Sequence, residues 1–344
     1  MKNKFFAFIL ILSLFLPFNI GVQAKEQMPP NILENNQVCI GGQTVGIAIY
    51  TRGLLVSEVS SFKGEDGATK SPAQKAGIKK GDYIISANGI ELKDVSNIDA
   101  IILASKGDKI KITALRKGRQ YQTEIVPQIC AEDNRLHLGL YLKDSAAGLG
   151  TITFSLKQSG YYFALGHSIT DFESGADLSV SSGRIVKCNI NSIKKGTNGT
   201  AGELRGSFGV SSTLLGTVEA NTSAGIYGKT NPEFVHGKQI EVAEKEEITE
   251  GDAQIFCSVE GEVKQYSAEI LMVSKNKNEK NLVIKIDDEV LLEKTGGIVQ
   301  GMSGSPVVQN GKLIGAVTHV MLADSSCGYG IFIENMVKEA KKVA

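Results

Sequence analysis

Short strand-like runs separated by glycine-containing turns constrain this chain most strongly. Its 344 residues include 38 glycines and no tryptophan. From residue 150 to residue 286, short apolar runs recur between Gly, Asn and Ser turns, and only the segment after Glu334 reads as a helix in this half of the chain. Short alternating strands at such spacing are typical of a barrel or a pair of packed sheets. The chain is therefore predicted to be mainly β.

The length of the chain indicates how many domains it can form, and its charge indicates which partners it would not attract. A chain of 344 residues is long enough for two domains. Lys plus Arg and Asp plus Glu number 37 each. Such a balance gives no overall field that would attract nucleic acid or an anionic membrane surface. Nucleic acid is therefore not an expected partner.

The first residues have the layout of an export signal. Two lysines precede an apolar run that starts at Phe5, and Val22-Gln-Ala24 has the small residues of a cleavage site. Residues 1–24 are accordingly predicted to be a signal peptide, with an uncleaved membrane anchor as the alternative. Residues 25–38 are polar with a proline pair and are predicted to be a linker.

The cysteines argue against a metal centre. The five cysteines are widely spaced, with no Cys-x-x-Cys motif and no histidine taken to lie nearby, so no zinc site and no cofactor is expected; they are Cys39, Cys130, Cys188, Cys257 and Cys327. Export would permit disulfides, and Cys39 with Cys130 is then the favoured pair. Buried free thiols are the simpler alternative.

Residues 39–130 are predicted to form a compact first domain. Strand patterns flank an Asn88-Gly89 hairpin turn, and residues 94–105 carry apolar positions at helical spacing. Together with Gly53-Leu54-Leu55-Val56, this order resembles a PDZ domain. In such domains a Gly-led loop offers N–H groups to a peptide carboxylate, and the peptide adds as a strand beside a helix. The resemblance implies that Gly53, Leu54, Leu55 and Val56 bind a peptide or chain end.

The second predicted domain, residues 135–344, contains the segment Gly301-Met-Ser303-Gly-Ser-Pro306 between two strand patterns. A serine between glycines can expose its hydroxyl, and backbone N–H groups without a nearby Cβ can converge on an oxyanion. The segment is close to the Gly-x-Ser-Gly-x-Pro signature of chymotrypsin-like serine proteases. Taken alone, it is equally compatible with a flexible turn.

A nucleophilic serine needs a base, and the chain has only four histidines. His167 ends a strand pattern between small residues, so its ring is approachable. His319 follows on the strand after the serine loop and is the rival, better suited to the wall of a substrate pocket. His137 and His236 lie in polar segments and are weaker candidates. The serine loop therefore favours His167 as the general base.

Two longer motifs, Ala164-Leu-Gly-His-Ser-Ile-Thr-Asp171 and Leu291-Leu-Glu-Lys-Thr-Gly-Gly-Ile-Val-Gln-Gly-Met-Ser-Gly-Ser-Pro-Val307, resemble the SpoIVB peptidase family of endospore-forming bacteria. The resemblance implies a PDZ domain followed by a chymotrypsin-like double β-barrel serine peptidase domain. It makes Ser303 the nucleophile and His167 the base. The N–H groups of Gly301 and Ser303 would be the oxyanion donors.

The third triad member is less clearly marked. The resemblance points to Asp288, 15 positions before Ser303. In chymotrypsin-like enzymes the acid usually lies closer in sequence to the histidine. Asp171, four residues after His167, is the physical competitor, and Asp177 is a weaker one. Asp288 is the predicted acid.

The family also implies a biological role. Its members act in sporulation, exported across the forespore membrane into the intermembrane space. They cleave their own N-terminal region and a membrane-bound regulator of an intramembrane protease, so that a pro-sigma factor is processed. Two alternatives remain open, a catalytically inactive PDZ scaffold and a general quality-control serine protease. Proteases of the latter kind carry the PDZ domain after the protease domain, which is the reverse of the order here.

Overall fold

The computed structural model describes residues 32–33, 36–231, 234 and 237–343. The predicted signal peptide and almost all of the predicted linker lie outside these residues, as does His236. The first elements in chain order are β1 (Gln37–Ile40), β2 (Thr44–Val59), β3 (Phe62–Lys63), β4 (Thr69–Lys70), α1 (Pro72–Lys75), β5 (Tyr83–Ala87), β6 (Ile90–Glu91), α2 (Val95–Ser105), β7 (Ile110–Arg116), β8 (Arg119–Ile125), β9 (Gln128–Ile129) and β10 (Leu136–His137).

The remaining elements are almost all strands, which confirms the predicted mainly β class. They are β11 (Leu140–Ser155), β12 (Tyr161–Ala164), β13 (Val180–Lys187), β14 (Asn189–Lys194), β15 (Gly202–Ser207), β16 (Leu214–Thr217), β17 (Ala220–Thr222), β18 (Gly225–Lys229), β19 (Gln239–Val242), β20 (Gly251–Cys257), β21 (Lys264–Val273), β22 (Leu282–Ile286), α3 (Glu289–Thr295), β23 (Val299–Gln300), β24 (Pro306–Gln309), β25 (Lys312–Met321), β26 (Asp324–Phe332) and α4 (Ile333–Lys341).

Two long antiparallel strands join the halves of the molecule. β2 and β11 each contain 16 residues and pair from Leu140↔Val59 to Thr151↔Thr44. The sequence pattern around residues 45–59 predicts two strands, but one strand passes through Gly53 at φ +81°. A Cβ at this position would lie 2.6 Å from the Ile84 carbonyl oxygen, so the glycine permits close approach of β5.

The outer halves of these strands form the PDZ domain. β2 pairs with β5, β5 with β7, and β7 with β8. Helix α2 packs Ile98 and Ile101 into the core beneath this sheet. The helix starts at a capping box, in which the Asp94 side chain accepts from Asn97 N and the Asn97 side chain accepts in return. The predicted helix therefore forms, within one residue of its expected start.

The inner halves of β2 and β11 belong to the peptidase domain. Val45, Ile47 and Ile49 of β2 pack against Tyr162 and Ile185 in one apolar cluster. β1 pairs with β11 and β19 in the same part of the molecule. The structure thus places residues 37–51 in the peptidase barrel, whereas the sequence pattern assigns them to the PDZ domain. Alternating burial along a single strand does not reveal which of two cores it serves.

The second barrel half is built from later strands. β20, β21, β22, β26, β25 and β24 form a closed series of antiparallel pairs, since β24 also pairs with β20. Their inward side chains form a second core that includes Ile255, Ile270 and Ile284. Helix α4 packs Met336, Val337 and Ala340 into a separate cluster that includes Phe154 and Phe163. The double-barrel prediction is confirmed.

All five cysteines are free thiols, and all except Cys188 are buried. The Cys39–Cys130 pair that export would permit does not form, because Cys39 lies on β1 in the barrel and Cys130 follows β9 at the PDZ end. The simpler alternative, free thiols, is the one observed. Burial raises the pKa of the Cys257 thiol to about 12. Within the described ranges, no helix has the length and apolarity needed to cross a membrane.

Candidate active site

The loop that carries Ser303 lies between β23 and β24 and is held tightly on both sides. Thr151 on β11 donates its hydroxyl to the Gly301 carbonyl at 2.8 Å and its N–H to the Ser303 carbonyl at 2.9 Å. Gly304 N donates to the Val317 carbonyl at 2.8 Å. Thr151 is completely buried. Both barrel halves therefore fix the loop, Thr151 from the first and Val317 from the second.

At Gly304 the serine loop lies very close to the histidine segment. Its φ is +95°, and a Cβ there would lie 2.0 Å from the Thr151 carbonyl oxygen and 2.5 Å from Leu165 N. Only glycine satisfies both the left-handed backbone and this contact. Since Leu165 lies two residues before His167, the glycine lets the serine loop pack against the histidine turn.

The Ser303 side chain is directed at a backbone acceptor. Its Oγ donates to the Thr318 carbonyl at 2.7 Å. Met302 N, Gly304 N and Ser305 N are all used in bonds to backbone carbonyls. Ser303 N has no acceptor among the described residues. That N–H is therefore available to an oxyanion, whereas the role of Gly301 N as the second donor stays a prediction.

His167 follows a strained turn at the end of β12. Leu165 and Gly166 have φ values of +72° and +73°, and Leu165 is buried. A leucine in the left-handed region costs about 1–3 kcal/mol, which the surrounding packing must offset. A Cβ at Gly166 would lie 2.9 Å from side-chain atoms of Thr318 and Ile331. The turn thus presses the histidine segment against β25 and β26.

The His167 ring has a defined tautomer. Its Nδ1 lies 2.8 Å from the Ser168 carbonyl oxygen, and a carbonyl can only accept, so Nδ1 carries the proton. Nε2 is then left with the lone pair that a general base needs. Burial lowers the pKa of His167 below its ordinary value of 6.5, partly offset by the Ser168 bond. The ring is therefore neutral at physiological pH.

His319 lies beside this ring. The two imidazole centroids are 4.6 Å apart with an interplanar angle of 40°. Burial, with the nearby His167 and Lys280, lowers the pKa of His319 to about 4. His319 is thus neutral at physiological pH and forms a wall of the cavity, as the sequence predicted.

One cavity of about 890 Å³ connects these groups. The serine and histidine segments, β25 and the loop between β21 and β22 line it; the lining includes His167, Asp177, Lys280, Gly301, Ser303, Thr318 and His319. Its size is that of a peptide or small-molecule site. The structure therefore brings Ser303, Gly301 and His167 together in one site.

The predicted acid, Asp288, lies elsewhere. It caps helix α3, where its carboxylate accepts from Leu291 N at 2.9 Å and from Ser267 N at 3.3 Å. It does not line the cavity, and the structure does not join it to the His167 ring. Its role in a triad stays a prediction, and the Ser168 carbonyl occupies the position behind Nδ1.

The two competing acids also have other partners. Asp171 pairs with Lys143 at 2.7 Å and accepts from Ser174 N and Oγ at 2.8 Å each. Although its burial opposes ionisation, these bonds lower the pKa of Asp171 to about 2. Asp177 lines the cavity, and its backbone carbonyl accepts from the Tyr83 hydroxyl at 2.9 Å. Neither carboxylate contacts His167.

The predicted peptide loop of the PDZ domain is not at an open edge. Leu54, Leu55 and Val56 are fully buried. β2 pairs with β5 on one side, through Leu54↔Ile84, and with β11 on the other, through Leu55↔Lys143. A peptide cannot add to a strand whose two edges are occupied. The binding role of residues 53–56 therefore finds no support in the hydrogen bonding.

A second cavity, of about 850 Å³, offers a groove beside α2. Ile98, Ile102 and Leu103 line the helix side, and residues 133–140 with Leu142 line the other. Leu138-Gly139-Leu140 is a second glycine-containing apolar segment, and Gly139 has φ +71°. The sequence contains this segment too, but it falls within residues 135–344, which are predicted to be the second domain. We call this cavity the PDZ groove.

Some residues of the site have little signal in the sequence. Thr151 lies 150 positions from Gly301, so only the fold reveals their bond. Asn221 bonds Ile169 N and O at 2.8 Å each and Leu178 O at 3.0 Å, which holds the two ends of the loop after His167 together. A single threonine or asparagine in a strand pattern does not indicate which distant residue it will bond.

Comparison with known families assigns both domains. The model of the SpoIVB peptidase S55 family matches residues 134–337, and a PDZ domain model matches residues 65–116. The first match covers more than half of the chain and includes His167, Asp288 and Ser303. It confirms the resemblance inferred from the two sequence motifs.

Curated relatives share parts of the chain. A probable periplasmic serine endoprotease, DegP-like, of Bartonella henselae is 27% identical over 195 residues, which are 52% of this chain and 38% of that protein. The serine protease Do-like HtrB of Bacillus subtilis is 35% identical over 107 residues, 30% of this chain and 20% of that protein. The chain thus matches less than half the length of these relatives.

Among solved structures, the Rv3671c protease of Mycobacterium tuberculosis in its active form is similar at 13% identity and a TM-score of 0.32. The similarity covers 58% of this chain and 75% of that structure. A PDZ domain of an SdrC-like protein from Listeria monocytogenes covers 27% of this chain, at 21% identity and a TM-score of 0.22.

Proposed function

The chain belongs to the SpoIVB peptidase S55 family and combines a PDZ domain with a serine peptidase domain, and from this we propose that it is an exported serine endopeptidase that signals by site-specific cleavage. The observation that carries the proposal is the single cavity shared by Ser303, Gly301 and His167. A hydroxyl, a neutral imidazole and a free N–H are the minimum set for acyl transfer.

The reaction begins with a rotation of Ser303. Its hydroxyl leaves the Thr318 carbonyl and turns towards Nε2 of His167, which accepts the proton as Oγ attacks the peptide carbonyl carbon. The new oxyanion is stabilised by the N–H groups of Ser303 and Gly301. His167 then gives its proton to the leaving amine. Water next attacks the acyl enzyme, with His167 accepting the proton of the water and returning it to Ser303 as the acyl group leaves.

The Ser168 carbonyl supports the imidazole during this reaction. It keeps the proton on Nδ1 and accepts a stronger hydrogen bond when the ring becomes positively charged. A carbonyl carries only a partial charge, so it stabilises the imidazolium less than a carboxylate would. Movement of an acid to His167 upon activation would complete the triad. Family resemblance makes Asp288 the candidate for this acid.

We place this activity in sporulation, as the family name suggests. The enzyme would be exported from the forespore into the intermembrane space and would cleave its own N-terminal region. Its second substrate would be a membrane-bound regulator of an intramembrane protease, whose loss permits processing of a pro-sigma factor. Support comes from the family match and from the N-terminal sequence, whose residues 1–31 lie outside the described part.

The quality-control alternative draws on the similarity to the DegP-like protein of B. henselae. The order of domains weighs against it, because the PDZ match at 65–116 precedes the peptidase match at 134–337. A signalling peptidase cuts few proteins, whereas a quality-control protease cuts many unfolded ones. Incubation with an unfolded protein such as reduced casein distinguishes them, since the proposed enzyme should leave it intact.

Labelling with a fluorophosphonate tests the catalytic proposal. The wild-type chain should be labelled and should release an N-terminal fragment, and Ser303→Ala should lose both, with kcat reduced by about 10⁶-fold. Ser305→Ala is the matched control, because this serine is buried in the same loop. Undiminished labelling of Ser303→Ala would refute the proposal.

A further inference from the structure

Three side chains with metal-binding atoms lie together outside the active site. The ligand atoms of Cys130, Asp133 and His137 all lie within 4.8 Å of one another. Cys130 is buried, Asp133 is exposed and His137 is half-buried. We infer that they form a site for a divalent metal ion of the zinc class, at the junction between the PDZ and peptidase domains.

The hairpin between β9 and β10 creates this cluster. The strands pair through Leu136↔Ile129 and His137↔Gln128, so residue 137 lies opposite residue 128, and residue 130 follows two positions later on the same face. Cys130 N donates to Arg135 O at 2.8 Å and Asn134 N donates to Cys130 O at 2.9 Å. A spacing of seven residues conceals the proximity in the sequence, where Cys130 has no visible histidine partner.

Neighbouring elements hold the cluster rigid. Cys130 forms a β-bridge with Gly64, and Ala131 N donates to Lys63 O at 2.8 Å. The His137 ring packs against Phe62, with centroids 5.5 Å apart. The backbone that carries the ligands is therefore ordered before any ion binds, which reduces the entropy that binding costs.

The donor set selects the class of ion. A thiolate and an imidazole favour zinc over calcium or magnesium, which prefer oxygen ligands. The Asp133 carboxylate lies 2.8 Å from His137 Nε2, and this hydrogen bond holds the two ligands side by side. Binding releases the thiol proton, and the neutral His137 ring then carries its single proton on Nδ1 so that Nε2 can coordinate the metal. Three protein ligands leave a fourth tetrahedral position for an oxygen donor.

That open position lies beside the PDZ groove. Asp133 and His137 line both the cluster and the groove, together with Leu138 and Gly139. A bound divalent ion would add positive charge at one end of an apolar groove. The carboxylate of a chain end is an oxygen donor of matching charge, and water is the alternative. The site would thus strengthen binding of chain ends in the groove.

Cobalt(II) is the spectroscopic probe for this site. Added to the full chain under reducing, chelator-free conditions, about one equivalent should bind and give the near-ultraviolet charge-transfer band of a thiolate ligand, and zinc should displace it. Cys130→Ser should abolish the band, and Asp133→Asn and His137→Asn should each weaken binding by about tenfold or more. Cys188→Ser removes a thiol far from the hairpin and should leave the band unchanged.

The outcomes separate the alternatives. A band that persists in Cys130→Ser, or one that disappears in Cys188→Ser, would overturn the assignment, as would the absence of binding by the wild-type chain. The surface variant His137→Asn keeps the inference testable if Cys130→Ser fails to fold. Two apolar peptides, one amidated and one with a free carboxylate, should bind the groove equally in the absence of zinc. With zinc bound, the free acid should bind more tightly than the amide if a chain end is the fourth ligand. Equal binding of the two peptides with zinc would show that water is the fourth ligand.

Discussion

The two halves of the catalytic site are held in different ways. Among the described residues, the serine loop is bonded to the barrel, through Thr151 and Val317, and these contacts are buried. The segment from His167 to Ser179 is bonded to the PDZ side as well. Lys143 of β11 pairs with Asp171, and the Tyr83 hydroxyl of β5 donates to Asp177 O and accepts from Ser179 N at 3.0 Å.

Ser303 and His167 should therefore respond differently to changes in the PDZ domain. The position of the nucleophile depends on packing inside the peptidase domain. The base depends in addition on contacts that cross to the PDZ domain, and the segment that carries it is partly exposed, with Phe172 95% accessible. Leu142, the neighbour of Lys143 on β11, lines the PDZ groove, so a ligand bound there would lie next to it. Occupation of the groove can therefore reach the histidine segment more directly than the serine.

Gly304→Ala should have the largest effect on the serine side. The added Cβ would lie 2.0 Å from the Thr151 carbonyl oxygen at a φ of +95°, so at least about 3 kcal/mol of stability and nearly all activity should be lost. Gly311→Ala is the control, because φ is +78° but no atom lies within 4 Å; it should cost about 1 kcal/mol. Denaturant unfolding measures both. Equal costs would contradict the close approach.

Thr151→Val should have the next largest effect. It leaves the buried Gly301 carbonyl without its hydroxyl donor, at a cost of about 1–3 kcal/mol, and loosens the loop that presents the oxyanion donors. Thr153→Val on the same strand is the matched control: both threonines are fully buried, but the Thr153 hydroxyl has no partner among the described residues. That variant should be neutral or stabilising. A comparison of kcat for the two variants tests the role of the bond.

Asp171→Asn tests the histidine side and should have a smaller effect. If Asp171 only anchors the segment through Lys143, kcat should fall by about tenfold or less. Loss of a triad acid typically costs about 10⁴-fold, and a loss of that size would make Asp171 catalytic. Asp288→Asn in parallel decides its predicted role. A similar loss of kcat would assign it to the triad, whereas an unchanged kcat with nearly unchanged stability would leave it a helix cap, because asparagine caps a helix about as well as aspartate.

Much of this architecture could be predicted from the sequence. The Gly-x-Ser-Gly segment and the histidine at a strand end are local patterns with a direct chemical meaning, and the cavity contains both. The fold class followed from short strands and turns. These features depend on neighbouring residues, which a linear sequence displays.

The parts that escaped prediction depend on distant residues. The domain boundary was displaced because β2 serves two cores, and the groove was assigned to Gly53–Val56 because that segment matches a Gly-led loop locally. Its burial between β5 and β11 is a property of strand order. The cluster of Cys130 with His137 needed the hairpin register. In each case topology, rather than residue type, determined the outcome.

The pH dependence of fluorophosphonate labelling tests the pairing of Ser303 with His167 most directly. Because burial lowers the pKa of His167, the neutral base should persist below pH 6.5, and the labelling rate should stay high there and fall only at more acidic pH. The His167→Ala variant should be labelled slowly, and its rate should not fall at acidic pH. The His319→Gln variant should keep the fall in rate at acidic pH. If the rate still falls at acidic pH in His167→Ala but no longer does so in His319→Gln, His167 is not the base and His319 is.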